Sequence, residues 1–305
     1  MSKERPVNLA HSIRQRLVNI SRDRHEDPNL VFIRYALERF LYRLSCSKSA
    51  NKFILKGAML FAAWTNETHR PTRDLDLLGY GSDSEQSLTE AFRQIMKIQV
   101  EPDGLEFNPE SITFAEIREG LEYPGKRLKF SANLGNIQLN LQIDIGFGDV
   151  VTPEAEVIDY PTLLDLPAPH IKAYPCESVV AEKLQALVAF DIAISRMKDF
   201  YDLWIISKQF SFDGEVLAKA IQATFKRRKT ALPDIVPTAL TDEFADDRDK
   251  VNQWKAFLNR TGLQKVTVNL SQVVRELREF ITPVLSSLCK KGNFKKSWIK
   301  GGPWS

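Results

Sequence analysis

The sequence predicts an α/β N-terminal half followed by an all-helical C-terminal half, and three observations carry that expectation. Apolar residues repeat with helical spacing over 29–44 and are followed by two short strand-like runs, around 53–55 and 74–78. Two runs of period two flank Gly135-Asn136. Beyond residue 175 nearly every segment has the spacing of an amphipathic helix. The border is placed near residue 170, giving one unit over 1–170 and a second over 171–305. A chain of 305 residues exceeds the size at which one core usually stops growing, so one large or two ordinary domains are expected.

The elements follow in order. From Asn29 to Leu44, apolar residues recur at Leu30, Ile33, Leu37, Phe40, Leu41 and Leu44, which is one helical stripe. Arg34, Arg39 and Arg43 are left for the polar side. Phe53-Ile54-Leu55 ends at Lys56-Gly57, a strand-to-helix turn, and Ala58 to Trp64 is a helix. A polar connection from Thr65 to Arg73 leads into Asp74-Leu75-Asp76-Leu77-Leu78, an apolar strand that stops at Gly79-Tyr80-Gly81. Ser84 to Lys97 is helical, with Leu88, Phe92 and Ile95 or Met96 on one side. Over Arg127–Asp149, apolar residues from Leu128 to Leu134 and from Ile137 to Ile145 alternate with polar ones about Gly135-Asn136, the pattern of a β-hairpin. Asp159–Pro175 carries four prolines and is expected to be a connector. Helices are expected over Glu177–Phe190, Ser195–Lys208, Phe212–Arg227, Asp249–Asn259 and Leu270–Leu288.

Composition narrows the class. Hydrophobic residues make up 43% and charged residues 27%, as in a globular protein that dissolves in water. No apolar run is long enough to span a bilayer, and MSKERPVNLAHSIRQRL has no apolar core of the kind a secretory signal needs. No membrane partner and a cytoplasmic location are therefore expected. Cys46, Cys176 and Cys289 form no CxxC pair, which argues against a disulfide framework or a structural zinc site. They are expected to be small buried side chains or free thiols. His11, His25, His69 and His170 have no metal-ligand spacing. Net charge is only +3, but Lys226-Arg227-Arg228-Lys229 is one basic cluster, and Lys290, Lys291, Lys295, Lys296 and Lys300 crowd the C-terminal tail. Such clusters can neutralise phosphates or be merely solvated. Phe200, Tyr201 and Trp204 are expected in the core, while Trp298 and Trp304 could stack on bases or belong to a loose tail.

The chemistry lies in the acids. Asp74 and Asp76 are two apart on a strand, so both carboxylates project from one face while Leu75 and Leu77 turn to the core. Two carboxylates held that close repel unless a cation neutralises them. Oxygen ligands suit magnesium, which also binds phosphates. Asp144, between Ile143 and Ile145, is costly on a strand unless it is paired or metal-bound. If its strand lies beside that of Asp74 and Asp76, the three could hold two ions, with Asp144 as ligand or as general base.

Leu55-Lys56-Gly57-Ala58-Met59-Leu60 followed by Arg70-Pro71-Thr72-Arg73-Asp74-Leu75-Asp76-Leu77 resembles the polymerase-β-like nucleotidyltransferase superfamily, and within it the AbiEii/AbiGii-type toxins. A late helical motif of that family has its counterpart in Glu182-Lys183-Leu184 and Arg196-Met197-Lys198-Asp199-Phe200-Tyr201-Asp202. The two motifs stand in order and about 110 residues apart, which is more specific than either alone. The resemblance covers residues 50–210 well. One departure is Ala58, where this branch carries glycine and the wider superfamily serine; alanine has no hydroxyl for a phosphate.

The resemblance implies a nucleotidyltransferase core with a mixed sheet, a helical C-terminal domain, and an active site in the cleft between them. It implies magnesium on Asp74, Asp76 and Asp144. Lys56, Gly57 and Thr72 are expected near the triphosphate, with Arg196, Lys198 and Asp202 also on the nucleotide. Lys183 is expected to neutralise the leaving pyrophosphate, and Asp199 to orient Lys183 or the nucleophile. The implied activity is transfer from an NTP to an RNA acceptor, the tRNA 3′ end foremost, blocking translation; the implied partner is a cognate antitoxin. Two alternatives stay open: a small-molecule (aminoglycoside-like) or protein hydroxyl as acceptor, and a non-catalytic nucleotide- or RNA-binding module.

Overall fold

The structure, a computed structural model, describes residues 9–65, 69–117, 125–263 and 266–305. The first eight residues, on which the expectation about a leader falls, and residues 66–68 of the polar connection lie outside the described residues. The chain forms two compact units, residues 1–148 with 156–173, and residues 149–155 with 174–305.

In the first unit, helices α1 (Leu9–Arg24) and α2 (Pro28–Ser45) precede β1 (Phe53–Lys56), α3 (Met59–Thr65), β2 (Asp74–Gly79) and α4 (Glu85–Met96). The strands β3 (Leu105–Ile117), β4 (Gly125–Leu134), β5 (Ile137–Phe147), β6 (Glu156–Asp159) and β7 (His170–Ala173) complete it. They form one mixed sheet in the order β3-β4-β5-β2-β1-β7-β6. β2 lies parallel to β5 and antiparallel to β1, while β4 and β5 are the expected hairpin about Gly135-Asn136. One face carries Leu75, Leu77, Leu128, Phe130, Leu141, Ile143 and Ile145, all 3% exposed or less. Phe40 of α2 and Phe92 of α4 stack on each other at 5.4 Å in this core.

α2 begins as its sequence demands: the Asp27 side chain accepts the Asn29 N–H, and Pro28 fills the first turn where no donor is needed. The apolar stripe is buried, but the expected polar side is not a polar surface. Arg39 is 1% exposed and Arg43 6%. Arg43 forks onto Asp103 at 2.6 and 3.1 Å, and Arg39 Nη2 donates to the Pro167 carbonyl at 2.7 Å. Glu38, also buried, accepts the Leu163 N–H at 2.7 Å. A buried guanidinium needs partners for its charge, and these partners come from distant segments of the unit. Arg34, half-buried, pairs with Glu26. The helix therefore offers no arginine-lined groove to phosphates.

β3, β6 and β7 stand where no strand was expected. β3 is broken by a register shift between Asn108 and Thr113, which interrupts the alternation that marks a strand. β7 lies inside the segment expected to be a connector; it pairs parallel to β1 and antiparallel to β6, with Ile171 and Ala173 buried.

The second unit holds α5 (Cys176–Phe190), α6 (Met197–Gln209), β8 (Phe212–Asp213), α7 (Gly214–Arg227), α8 (Asp242–Asp246), α9 (Arg248–Arg260), α10 (Leu270–Cys289) and β9 (Ser297–Trp298). It is helical apart from one small ribbon. Phe212 and Asp213, expected in a helix, pair with β9 instead, and Asp213 caps α7 by accepting the N–H groups of Glu215 and Val216. That ribbon corrects the reading of the tail. Trp298 is 4% exposed and its indole donates to the Ser207 carbonyl at 2.7 Å; Trp304 stacks on Phe280 and donates to its carbonyl. Neither indole is a free platform for bases, and the tail is packed. Phe200 and Tyr201 are core residues, while Trp204 is half-buried and donates to Glu276. The three cysteines are free thiols; Cys46 is exposed and the other two are partly covered, so none is the buried filler that was one expectation. No described helix is long and apolar enough to cross a membrane.

Candidate active site

On β2, Leu75 and Leu77 are fully buried, which turns Asp74 and Asp76 to the opposite face. Register does the rest. β5 runs parallel beside β2 with Asp76 opposite Asp144 and Asp74 opposite Gln142, and cross-strand partners share a face. One oxygen from each of Asp74, Asp76 and Asp144 lies within 4.8 Å of the others, and all three residues are half-buried. An octahedral ion at 2.0–2.1 Å from its ligands needs those oxygens no more than about 4.2 Å apart, so small side-chain rotations close the set. The donors are all carboxylate oxygens, which suit a hard divalent ion such as magnesium, calcium or manganese and not a thiolate- or imidazole-seeking metal.

The neighbours hold these carboxylates in place. The Thr72 hydroxyl donates to Asp74 Oδ1 at 2.5 Å. Lys56 faces Asp76 across the β1–β2 ladder. Gly57 follows with φ of +76°, and a Cβ there would lie 1.9 Å from Asp76 Oδ2. Only glycine fits that conformation and that gap together.

One residue at this site escaped the sequence reading. Arg127 on β4 forks onto Asp144, Nε to Oδ1 at 2.9 Å and Nη2 to Oδ2 at 2.7 Å, and Gln142 Nε2 donates to the same Oδ1 at 3.3 Å. The signal was present. In a hairpin centred between residues 135 and 136, Leu134 faces Ile137, and counting outward puts Arg127 opposite Asp144.

The second unit carries its own charged cluster. Lys183 Nζ on α5 lies 2.7 Å from Asp199 Oδ1 and 2.8 Å from Asp202 Oδ2, and Arg196 Nε donates to Asp199 Oδ2 at 2.6 Å. The two acids sit one turn apart on α6, so a single ammonium reaches both. Burial pushes the Asp199 carboxyl up, but Lys183 and Arg196 outweigh it and hold the group below the usual carboxylate value. Asp202, expected on the nucleotide, is 1% exposed; its buried carboxylate holds Lys183 in place. Lys198 is exposed on the same helix. Of the Lys226–Lys229 cluster, Arg228 turns inward to Asp149 and Glu182, which leaves Lys226, Arg227 and Lys229 exposed. His69 meets Thr65 Oγ1 at 3.2 Å and the edge of Phe61.

A crystal structure of JHP933 from Helicobacter pylori shares 16% identity, covering 84% of this chain and 92% of that one with a TM-score of 0.48. A candidate nucleotidyltransferase from H. pylori also shares 16% identity, covering 85% of this chain and 96% of that one with a TM-score of 0.50, a likeness of fold. No curated protein sequence matches. The family model of the AbiEii nucleotidyl transferase toxin, type IV toxin–antitoxin system, matches residues 39–276, well over half of the chain and both motifs. This chain belongs to the AbiEii nucleotidyl transferase toxin family.

Proposed function

We propose that this chain transfers a nucleotidyl group from an NTP to the 3′ end of a tRNA, with Asp74, Asp76 and Asp144 holding magnesium. The observation that carries the reading is the convergence of three carboxylates from β2 and β5 beside a glycine that leaves them room. In the reaction the acceptor hydroxyl oxygen bonds to the α-phosphorus while the bond to the bridging oxygen breaks. Pyrophosphate leaves, and the hydroxyl proton passes to solvent or a nearby base. When bound, magnesium neutralises phosphate charge and polarises the reacting phosphoryl oxygens. Thr72 fixes the orientation of Asp74, and the Arg127 fork fixes that of Asp144, which we assign as a ligand.

Lys183 is assigned to the leaving pyrophosphate on its motif, with Asp199 and Asp202 as residues that position it. Lys56, Gly57 and Arg196 are assigned to the nucleotide, and Lys198 to its outer phosphates. The exposed Lys226, Arg227, Lys229 and tail lysines supply the positive surface an RNA backbone needs. A tRNA extended at its 3′ end cannot be charged, which accounts for toxicity, and a cognate antitoxin in the same cytoplasm would restrain it.

The test is incubation of purified protein with magnesium, each α-³²P-labelled NTP in turn, and total tRNA. Label in the tRNA that vanishes in Asp74→Ala/Asp76→Ala supports the reading. No label with any nucleotide overturns the tRNA acceptor and directs the search to small-molecule and protein hydroxyls.

A further inference from the structure

We propose that Arg127 holds the place of a second cation at the carboxylate cluster and thereby sets how many metal ions the protein binds by itself. The inference rests on the metal-holding reading above and concerns a residue outside the family's two motifs. Asp74, Asp76 and Asp144 bring three negative charges to within 4.8 Å of one another. Arg127 returns one positive charge through a two-pronged contact at 2.9 and 2.7 Å, with its side chain 34% exposed. That charge sits on Asp144 itself and opposes a second divalent ion at the same carboxylate.

The lone pairs agree with the charges. A carboxylate offers about four acceptor positions over its two oxygens. On Asp144, the guanidinium takes one on each oxygen and the Gln142 amide takes a second on Oδ1. The remaining position on Oδ2 suffices for one ion, but Asp144 cannot bridge two while Arg127 stays docked. Asp74 and Asp76 lie on β2, on the other side of β5 from β4 in the strand order, and the fork is directed at Asp144. Arg127 is therefore a positioning residue for Asp144 and a competitor for the second ion. Because its side chain is partly solvated, it can let go without disturbing the core.

Manganese, a spectroscopic stand-in for magnesium, gives a readout independent of catalysis. The full chain without nucleotide is titrated with Mn²⁺, and free ion is followed by EPR for wild type, Arg127→Gln, Arg127→Lys and Asp74→Ala, with circular dichroism confirming that each is folded. Wild type is expected to bind one ion per chain. Arg127→Gln is expected to bind a second, or to tighten the first by about tenfold or more, as removal of a unit positive charge a few ångströms away requires. Arg127→Lys, which keeps the charge but not the fork, should stay closer to wild type in affinity. Equal stoichiometry and affinity in wild type and Arg127→Gln overturn the inference and leave the metal-holding reading intact. Absence of Mn²⁺ binding in every variant overturns both.

Discussion

Gly57→Ala is the sharpest perturbation of the site that leaves every charged group in place. The added Cβ would stand 1.9 Å from Asp76 Oδ2, 2.6 Å from its Cγ and 2.7 Å from its Cβ, where real contacts below 3.0 Å are essentially never seen. Asp76 or the turn must give way by about 1.1 Å. Alanine must also adopt a φ of +76°, which costs about 1–2 kcal/mol. Displacement of a reacting group by about 1 Å can lower a rate by about 10²-fold, equivalent to about 2.7 kcal/mol of barrier. The functional loss should therefore exceed the loss of stability. The assay compares the rate of α-label transfer and the thermal midpoint of wild type, Gly57→Ala and Ala58→Gly. Gly57→Ala should fall by about 10²-fold in rate while the midpoint drops by only a few degrees. Ala58→Gly, which adds no atom, should stay near wild type. A Gly57→Ala protein that keeps more than half the wild-type rate would refute the claim that this glycine makes room for a working Asp76.

Three further perturbations separate folding from function. Lys183→Met leaves two buried carboxylates without their shared cation and should cost about 3–5 kcal/mol; adding Asp202→Asn should recover part of that stability but none of the transfer activity, as thermal melts beside the labelling assay would show. Arg43→Met strands the buried Asp103 carboxylate and should cost a similar amount, while RNA affinity measured well below the melting temperature stays at the wild-type value; an unchanged melt would contradict the buried pairing. Burial, partly offset by Arg39 and the Leu163 N–H, pushes the Glu38 carboxyl up to about 7 from 4.5. The folded state then holds the extra proton between those values, so stability should fall by up to ~3 kcal/mol as pH rises through that window, and Glu38→Gln should flatten the slope in denaturant melts.

Where a local pattern carries the information, the sequence was sufficient. The Asp-Leu-Asp-Leu alternation puts two carboxylates on one face of β2, and the runs about Gly135-Asn136 put Asp144 on a strand; that this strand lies beside β2 follows from the sheet order. The spacing of Leu88, Phe92 and Ile95 marked the buried side of α4. What escaped depended on contacts made at a distance. Arg39 and Arg43 read as a polar helix face because the groups that bury them, Pro167 and Asp103, come from remote segments. β7 is a four-residue strand among prolines, and β3 loses its period at a register shift. The aromatic tail residues were ambiguous until a two-residue ribbon showed Trp298 packed inside. Arg127 is a different case, since its partner follows from counting along the hairpin, which sets it opposite Asp144.

The most direct test of the central claim follows two labels from the same nucleotide. Parallel reactions with tRNA and magnesium contain NTP labelled at the α- or the γ-phosphorus, using wild type and the near-isosteric Asp76→Asn. Nucleotidyl transfer at the carboxylate cluster predicts α-label in the RNA, γ-label only in released pyrophosphate, and neither outcome with Asp76→Asn. Label from the γ-position in the RNA, or undiminished α-label transfer by Asp76→Asn, would contradict it.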